Sequence, residues 1–134
     1  MKLFTSKTQK TGELGESIAT KYLSQQGFVI LERNFTCKSG EVDIIAQKNE
    51  KIYFFEVKSI KYSSSSLSSS AYNPFENVSR EKIRRILSTV QFWTLQNQEK
   101  MRYTKGFQID ALAVYLDDVT KVARVSRLEN INIL

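Results

Sequence analysis

The 134-residue chain contains no histidine, one cysteine and one proline. Without an imidazole there is no Ser-His-Asp triad, no histidine general base and no zinc site of the Cys and His kind. The lone Cys37 cannot close an internal disulfide, which fits a reducing compartment. Long apolar runs are missing too: none approaches the roughly 20 residues that span a bilayer. The stretch Met1-Lys2-Leu3-Phe4-Thr5-Ser6-Lys7 has no apolar segment of signal-peptide length. The expectation is a cytoplasmic protein with no membrane partner.

What is present is an ordinary share of hydrophobic residues, 41%, enough for one core in a chain this long. Residues 1–134 are therefore expected to form a single domain. Lys and Arg number 20 against 14 Asp and Glu, a net charge of +6, which favours polyanionic partners such as nucleic acid. General solubility also accounts for such a balance.

Thr11 to Gln26 reads as a helix, with Leu14, Ile18 and Tyr22 recurring every four residues and Gly27 as terminator. Phe28 to Glu32 reads as a strand. A serine-rich stretch at about 59–78 has no period and little to bury, so a flexible loop is expected there. From Ser79 or Arg80 to about Asn97 a second helix carries Ile83, Ile86, Leu87, Val90 and Trp93 on one stripe. Phe107 to Tyr115 and Val119 to Ser126 read as strands around an Asp117-Asp118 turn, and nothing is read from the tail Leu128 to Leu134. The order points to one mixed sheet flanked by helices.

Between these elements, two apolar runs are interrupted by charge: Glu41-Val42-Asp43-Ile44-Ile45-Ala46 and Ile52-Tyr53-Phe54-Phe55-Glu56-Val57-Lys58. Both have the length and residue types of strands. Alternation puts Ile52, Phe54, Glu56 and Lys58 on one face and Tyr53, Phe55 and Val57 on the other. The polar Gln47-Lys48-Asn49-Glu50 is short enough only for a tight hairpin, and a turn centred between Asn49 and Glu50 sets Asp43 opposite Glu56. Opposed residues have Cβ atoms roughly 4.5 to 5.5 Å apart, where like charges repel. A shared Mg²⁺ or Mn²⁺ would offset that repulsion, as would the neighbouring Lys58. With the register shifted by one or two residues, both carboxylates would simply be solvated at strand ends.

On the first helix, Glu16 has Gly12, Ala19, Thr20 and Leu23 as surface neighbours, a small and partly apolar stripe. A carboxylate there is either partly buried, needing a proton, a partner or a metal, or a plain exposed or capping charge. Gly12 and Gly15 suggest close approach to another backbone. Glu16, Asp43, Glu56 and Lys58 would together make a hydrolytic site without histidine. In it Asp43 and Glu56 bind Mg²⁺, the Val57 carbonyl adds a ligand, and Lys58 orients water or stabilises developing charge.

Gly15-Glu16, Gly40-Glu41-Val42-Asp43 and Phe55-Glu56-Val57-Lys58 also resemble the conserved blocks of the YraN family of uncharacterised bacterial proteins. That family is similar to the archaeal Holliday-junction resolvases and belongs to the PD-(D/E)XK, restriction-endonuclease-like superfamily. The resemblance runs from about Gly12 to Tyr115. It implies an α/β three-layer sandwich, with Asp43, Glu56 and Lys58 at active-site positions and Glu16 as a further helical carboxylate. The implied activity is Mg²⁺- or Mn²⁺-dependent cleavage of DNA, branched or otherwise structured.

Lys82 resembles a basic position usual in the family, whereas Gln108-Ile109-Asp110 stands where Arg-Phe-Asp is usual. An arginine common soon after the lysine block is also missing from Ser59-Ile60-Lys61, and Lys61 supplies charge without a bidentate fork. Lys61, Lys82, Arg84 and Arg85 are the expected phosphate contacts, with Lys100, Arg102 and Lys105 as others in the next loop and Tyr62 and Tyr72 as candidate stacking residues. A homodimer is left open. The rival expectations are a catalytically silent nucleic-acid-binding or assembly module and a binder of small acidic substrates.

Overall fold

The first helix, α1 (Thr11–Gln25), ends in a hydrogen-bond pattern that requires glycine. Phe28 N–H donates to the Leu23 carbonyl at 3.0 Å and Gly27 N–H to the Ser24 carbonyl at 3.1 Å, with Gly27 at φ 95°. These are the two bonds of a Schellman motif, and the positive φ costs a residue without Cβ nothing. The chain turns there into β1 (Val29–Cys37), followed by β2 (Gly40–Lys48), β3 (Lys51–Tyr62), α2 (Arg80–Gln96), α3 (Gln98–Arg102), β4 (Phe107–Asp117) and β5 (Ala123–Leu128). This computed structural model describes residues 11–64 and 79–131.

The five strands form one sheet in the order β1-β2-β3-β4-β5, antiparallel throughout except for the parallel pair β3 and β4. A parallel pair needs a long crossover, and the chain between them includes α2. Phe55 joins Ile18, Ala19 and Leu23 of α1 in one core cluster, while its neighbour Phe54 joins Ile86, Val90 and Trp93 of α2 in another. Adjacent strand residues point to opposite faces, so the sheet lies between the two helices. Helix α2 starts at Ser79, whose hydroxyl accepts from Lys82 N–H at 3.1 Å. It is tied to the edge strand by Trp93 Nε1–H donating to Glu32 Oε2 at 2.6 Å.

Several expected boundaries move. β1 continues past Glu32 to Cys37 because β2 offers it a partner as far as Cys37↔Gly40. β3 runs to Tyr62, so Ser59–Tyr62 pair with β4 rather than opening the serine-rich loop. The rest of that stretch, 65–78, lies outside the described residues, as does Tyr72. β5 begins at Ala123, not Val119, because Asp117 builds the preceding turn: its carbonyl accepts from Lys121 N–H at 2.8 Å and its carboxylate from Val119 N–H at 3.0 Å. The short helix α3 was not expected at all. Nor was the tail idle, for Ile131 is buried in the α2-side core.

Asp110, on β4, is a fully buried carboxyl side chain. Its Oδ2 accepts from Arg127 Nε at 2.8 Å and lies 2.7 Å from a second guanidinium nitrogen; Oδ1 accepts from Gln108 Nε2 at 2.8 Å and Asn130 N–H at 2.9 Å. The Arg127 guanidinium lies 5.4 to 5.8 Å from the ring centres of Phe28, Tyr53 and Phe55. Gln108, the departure from the family pattern, serves this network: its amide donates to Asp110, and its carbonyl accepts from Lys51 Nζ at 2.7 Å.

This packing sets the expected cost of two substitutions. Arg127→Ala strands a buried carboxylate and should cost about 3 kcal/mol or more in urea unfolding, whereas Arg102→Ala, in the exposed pair with Glu99, should cost less than about 1 kcal/mol. A Cβ at Gly15 would overlap Ser59 Oγ and lie 2.8 Å from Ser59 Cβ. Gly15→Ala should therefore destabilise by about 1–3 kcal/mol, and adding Ser59→Gly should recover much of the loss; no recovery would show that another neighbour sets the limit.

Candidate functional site: an acidic cleft where two strands part

The turn at Asn49 and Glu50 has φ of 52° and 64°, positive at both central residues as a type I′ hairpin demands. It sets the expected register, with Lys48↔Lys51 through Ile44↔Phe55 paired in sequence. The ladder stops there, one pair short of Asp43 and Glu56. On the other side of β2, pairing skips from Arg33↔Ile44 to Phe35↔Val42, and the bypassed Asn34 has φ 54°. Alternation breaks at the same point: Val42 packs with the α2-side cluster and Ile44 with the α1-side cluster.

Asp43 fills the gap. Its Oδ2 accepts the Val57 N–H at 2.7 Å, replacing a backbone partner with a carboxylate. Burial raises the pKa of Asp43 to about 7, helped by the negative charge of Glu56 and, more weakly, Glu16 and Glu41, and opposed by the Val57 hydrogen bond. Glu56 is on the α2 side, where its Oε1 lies 3.3 Å from Lys82 Nζ. Burial also raises its pKa, against the pull of Lys82. Glu16 is mostly buried, not an exposed helix charge, and its Oε1 lies 3.4 Å from an Arg33 guanidinium nitrogen.

Glu16, Asp43, Val57 and Lys58 line one open cleft of about 1050 Å³. Glu56 and Lys82 line an adjoining cleft with Arg85, and Glu41 borders both. Gly15 explains how α1 comes close enough: it meets Ser59 where a side chain could not fit. A Cβ at Gly12 would meet nothing within 4 Å among the described residues, so Gly12 marks no close approach there. Lys61 lines a different cleft with Tyr62 and pairs with Asp118 at 3.8 Å. Arg84 lines neither acidic cleft and is exposed.

The loop cations are not brought to the site. Lys105 N–H donates to the Glu50 carbonyl at 2.6 Å, at the turn end of the hairpin, and Lys100 and Arg102 belong to α3 close by. Glu41 and Arg33 were missed. Glu41 stands two residues before Asp43, a spacing that alternation could have used; Arg33 had no local signal, since it reaches Glu16 from another element.

The donor set suits a hard cation in kind. A strand residue turns its N–H and C=O to the same side, so the Val57 carbonyl faces the gap that Asp43 occupies; Asp43 Oδ1 and, from the adjoining cleft, Glu56 are the other candidate oxygens. Mg²⁺ commonly takes one or two carboxylates and keeps several waters. Among the described residues, no group of three or more His, Cys, Asp or Glu side chains is arranged to hold a metal ion, so the fit rests on a carboxylate pair and a carbonyl. No helix among them is long and apolar enough to cross a membrane.

Fold and cleft together define a mixed α/β protein with acidic side chains gathered at a break in its sheet. The sequence pattern of the uncharacterised protein family UPF0102 matches residues 15–114. A UPF0102 protein of Campylobacter jejuni subsp. jejuni is 38% identical over 115 residues, and one of Sulfurovum sp. is 34% identical over 116 residues. Each match covers 86% of this chain and 92% of the relative. The chain belongs to family UPF0102, which is the YraN family.

The raised acid pKa values set a sign for stability. Folded Asp43 keeps its proton to about pH 7, whereas its ordinary value is 3.8, so between these limits the folded state binds more protons. Stability should fall as pH rises through that window, by up to about 1.4 kcal/mol per unit, and level off above it. Asp43→Asn should flatten the slope in urea melts taken from about pH 4 to about pH 8; an unchanged slope would place the titration elsewhere.

Proposed function

We propose that this chain is a Mg²⁺- or Mn²⁺-dependent nuclease that hydrolyses phosphodiester bonds in DNA, on a restriction-endonuclease-like form of its α/β fold. The observation that carries the proposal is Asp43: a carboxylate held against the Val57 N–H at 2.7 Å, with its negative charge unfavourable as the site stands. An enzyme without histidine needs another means of activating water. A bound divalent cation supplies it, lowering the pKa of a coordinated water and neutralising phosphate oxygen charge.

In this proposal Asp43, Glu56 and the Val57 carbonyl hold the cation. Lys58, exposed at the rim of the cleft that contains Asp43, orients the attacking water or stabilises charge on the phosphate. Glu16, kept in place by Arg33, adds negative potential on the α1 side. Lys82 and Arg85 border Glu56 and are suited to phosphate, with Lys82 exchanging its carboxylate partner for the substrate. A substrate of branched or otherwise structured DNA is supported by the family resemblance alone. One ion pair favours the second reading, a silent nucleic-acid-binding or assembly module: Lys82 already neutralises Glu56 without any metal ion.

The test is a cleavage panel of duplex, flap, four-way junction and single-stranded DNA with Mg²⁺ or Mn²⁺. Cutting that stops on chelation is expected, and Asp43→Ala and Glu56→Ala should each reduce it by more than about 100-fold, since groups behind metal ligands alone cost 10- to 100-fold. The Asp43→Ala fold should survive, because the substitution removes a repelled charge. Cleavage unchanged in either variant would overturn the assignment. DNA binding without cleavage under any metal would favour the silent module.

A further inference from the structure

A second cleft opens from the acidic one and has the opposite character. It encloses about 680 Å³, shares Lys58 and Ser59 with the acidic cleft, and is lined further by Lys61, Tyr62, Tyr115 and Arg124. Its described lining holds three cations, two tyrosines and no acid. The register explains the gathering: Ile60 pairs with Tyr115 across β3 and β4, and Tyr115 with Arg124 across β4 and β5. Directly paired residues present side chains on one face, and the Arg124 guanidinium indeed lies 4.4 Å from the Tyr115 ring centre.

Such a lining is matched to a ligand with regularly spaced negative charges and flat faces. Lys58, two residues before Ile60 and on the same strand face, offers a point charge and Arg124 a planar fork, which differ in what they grip but both bind phosphate. Tyr62 and Tyr115 can reach base faces only where bases are unstacked from a partner strand, because a duplex hides those faces.

We propose that this cleft is the seat of an unpaired nucleic-acid strand leading to or from the acidic site, with phosphates on Lys58 and Arg124 and a base on Tyr115. The proposal rests on the nucleic-acid reading above and deepens it: the substrate is DNA with a single-stranded arm next to the bond at Asp43 and Glu56. Arg124 and Tyr115 are binding residues of that arm, on strands that carry none of the carboxylates lining the acidic clefts.

The experiment is fluorescence anisotropy with a labelled single-stranded oligonucleotide and a duplex of equal length, over a salt series, with chelator present so that nothing is cut. The full chain should bind the single strand more tightly than the duplex. Tyr115→Leu should weaken single-strand binding by at least about fivefold and leave duplex binding nearly unchanged. Arg124→Gln should weaken it and reduce the salt slope by about 0.7 for each phosphate that is no longer neutralised. Lys105→Ala, at the far end of the hairpin, should change neither, and urea melts of each variant check that it is folded. Wild-type binding that is unaffected by Tyr115→Leu and Arg124→Gln, or equally reduced for duplex, overturns this proposal and leaves the nuclease reading standing. No binding of either probe at low salt overturns both.

Discussion

The two-residue turn at Asn49 and Glu50 is the constraint on which the rest of the site depends. A type I′ turn matches the twist of the strands it joins and allows one register, and a slip by one residue would reverse the face of every side chain on β3. With the register set, Phe54 packs toward α2 and Phe55 toward α1, so both halves of the core form around one strand. The same register carries Glu56 to the α2 side, within 3.3 Å of Lys82. It also determines where regular pairing ends, at Ile44↔Phe55, and so which residue falls into the opening beyond.

Two aspartates in this sheet show how partners separate a structural charge from a candidate functional one. Asp110 is wholly buried, yet Arg127, Gln108 and Asn130 supply three hydrogen bonds to its two oxygens, and a second Arg127 nitrogen completes an ion pair. Such a group is costly to strip of its partners and has no capacity left for a ligand. Asp43 has the Val57 N–H and a surrounding of like charge. A carboxylate that burial and its neighbours disfavour as an anion is poised to take a cation or a proton, the condition under which perturbed groups mark sites of chemistry.

The three clefts give the surface a polarity that net charge alone does not convey. Acid lies at the centre, with Lys82 and Arg85 on the α2 side and Lys61 and Arg124 on the β5 side. A net charge of +6 is thus less informative than its distribution: part of the basic excess flanks the acidic residues, while Arg102 and Lys105 form exposed pairs with Glu99 and Glu50. Cations beside an acidic centre suit a polyanion whose reacting phosphate is met by a metal and whose neighbouring phosphates are met by side chains.

What the sequence by itself determined is what neighbours in the chain control. Helices α1 and α2, their apolar stripes, the Gly27 stop and the hairpin register all follow from periodicity, capping and turn chemistry over a few residues. Through the register and strand alternation, Asp43, Glu56 and Lys58 could be named together, and Glu16 joined them from its helical neighbours and the family resemblance. Only the tertiary structure decided how those groups are used. Arg33 reaches Glu16, Lys82 reaches Glu56, Arg127 reaches Asp110 and Arg124 reaches Tyr115, each between elements. The extra lengths of β1 and β3 depend likewise on the partner strands beside them. No local pattern encodes these contacts, because a side chain's partner across a sheet or a helix interface is set by strand order and packing, whereas turn and periodicity rules act only along the chain.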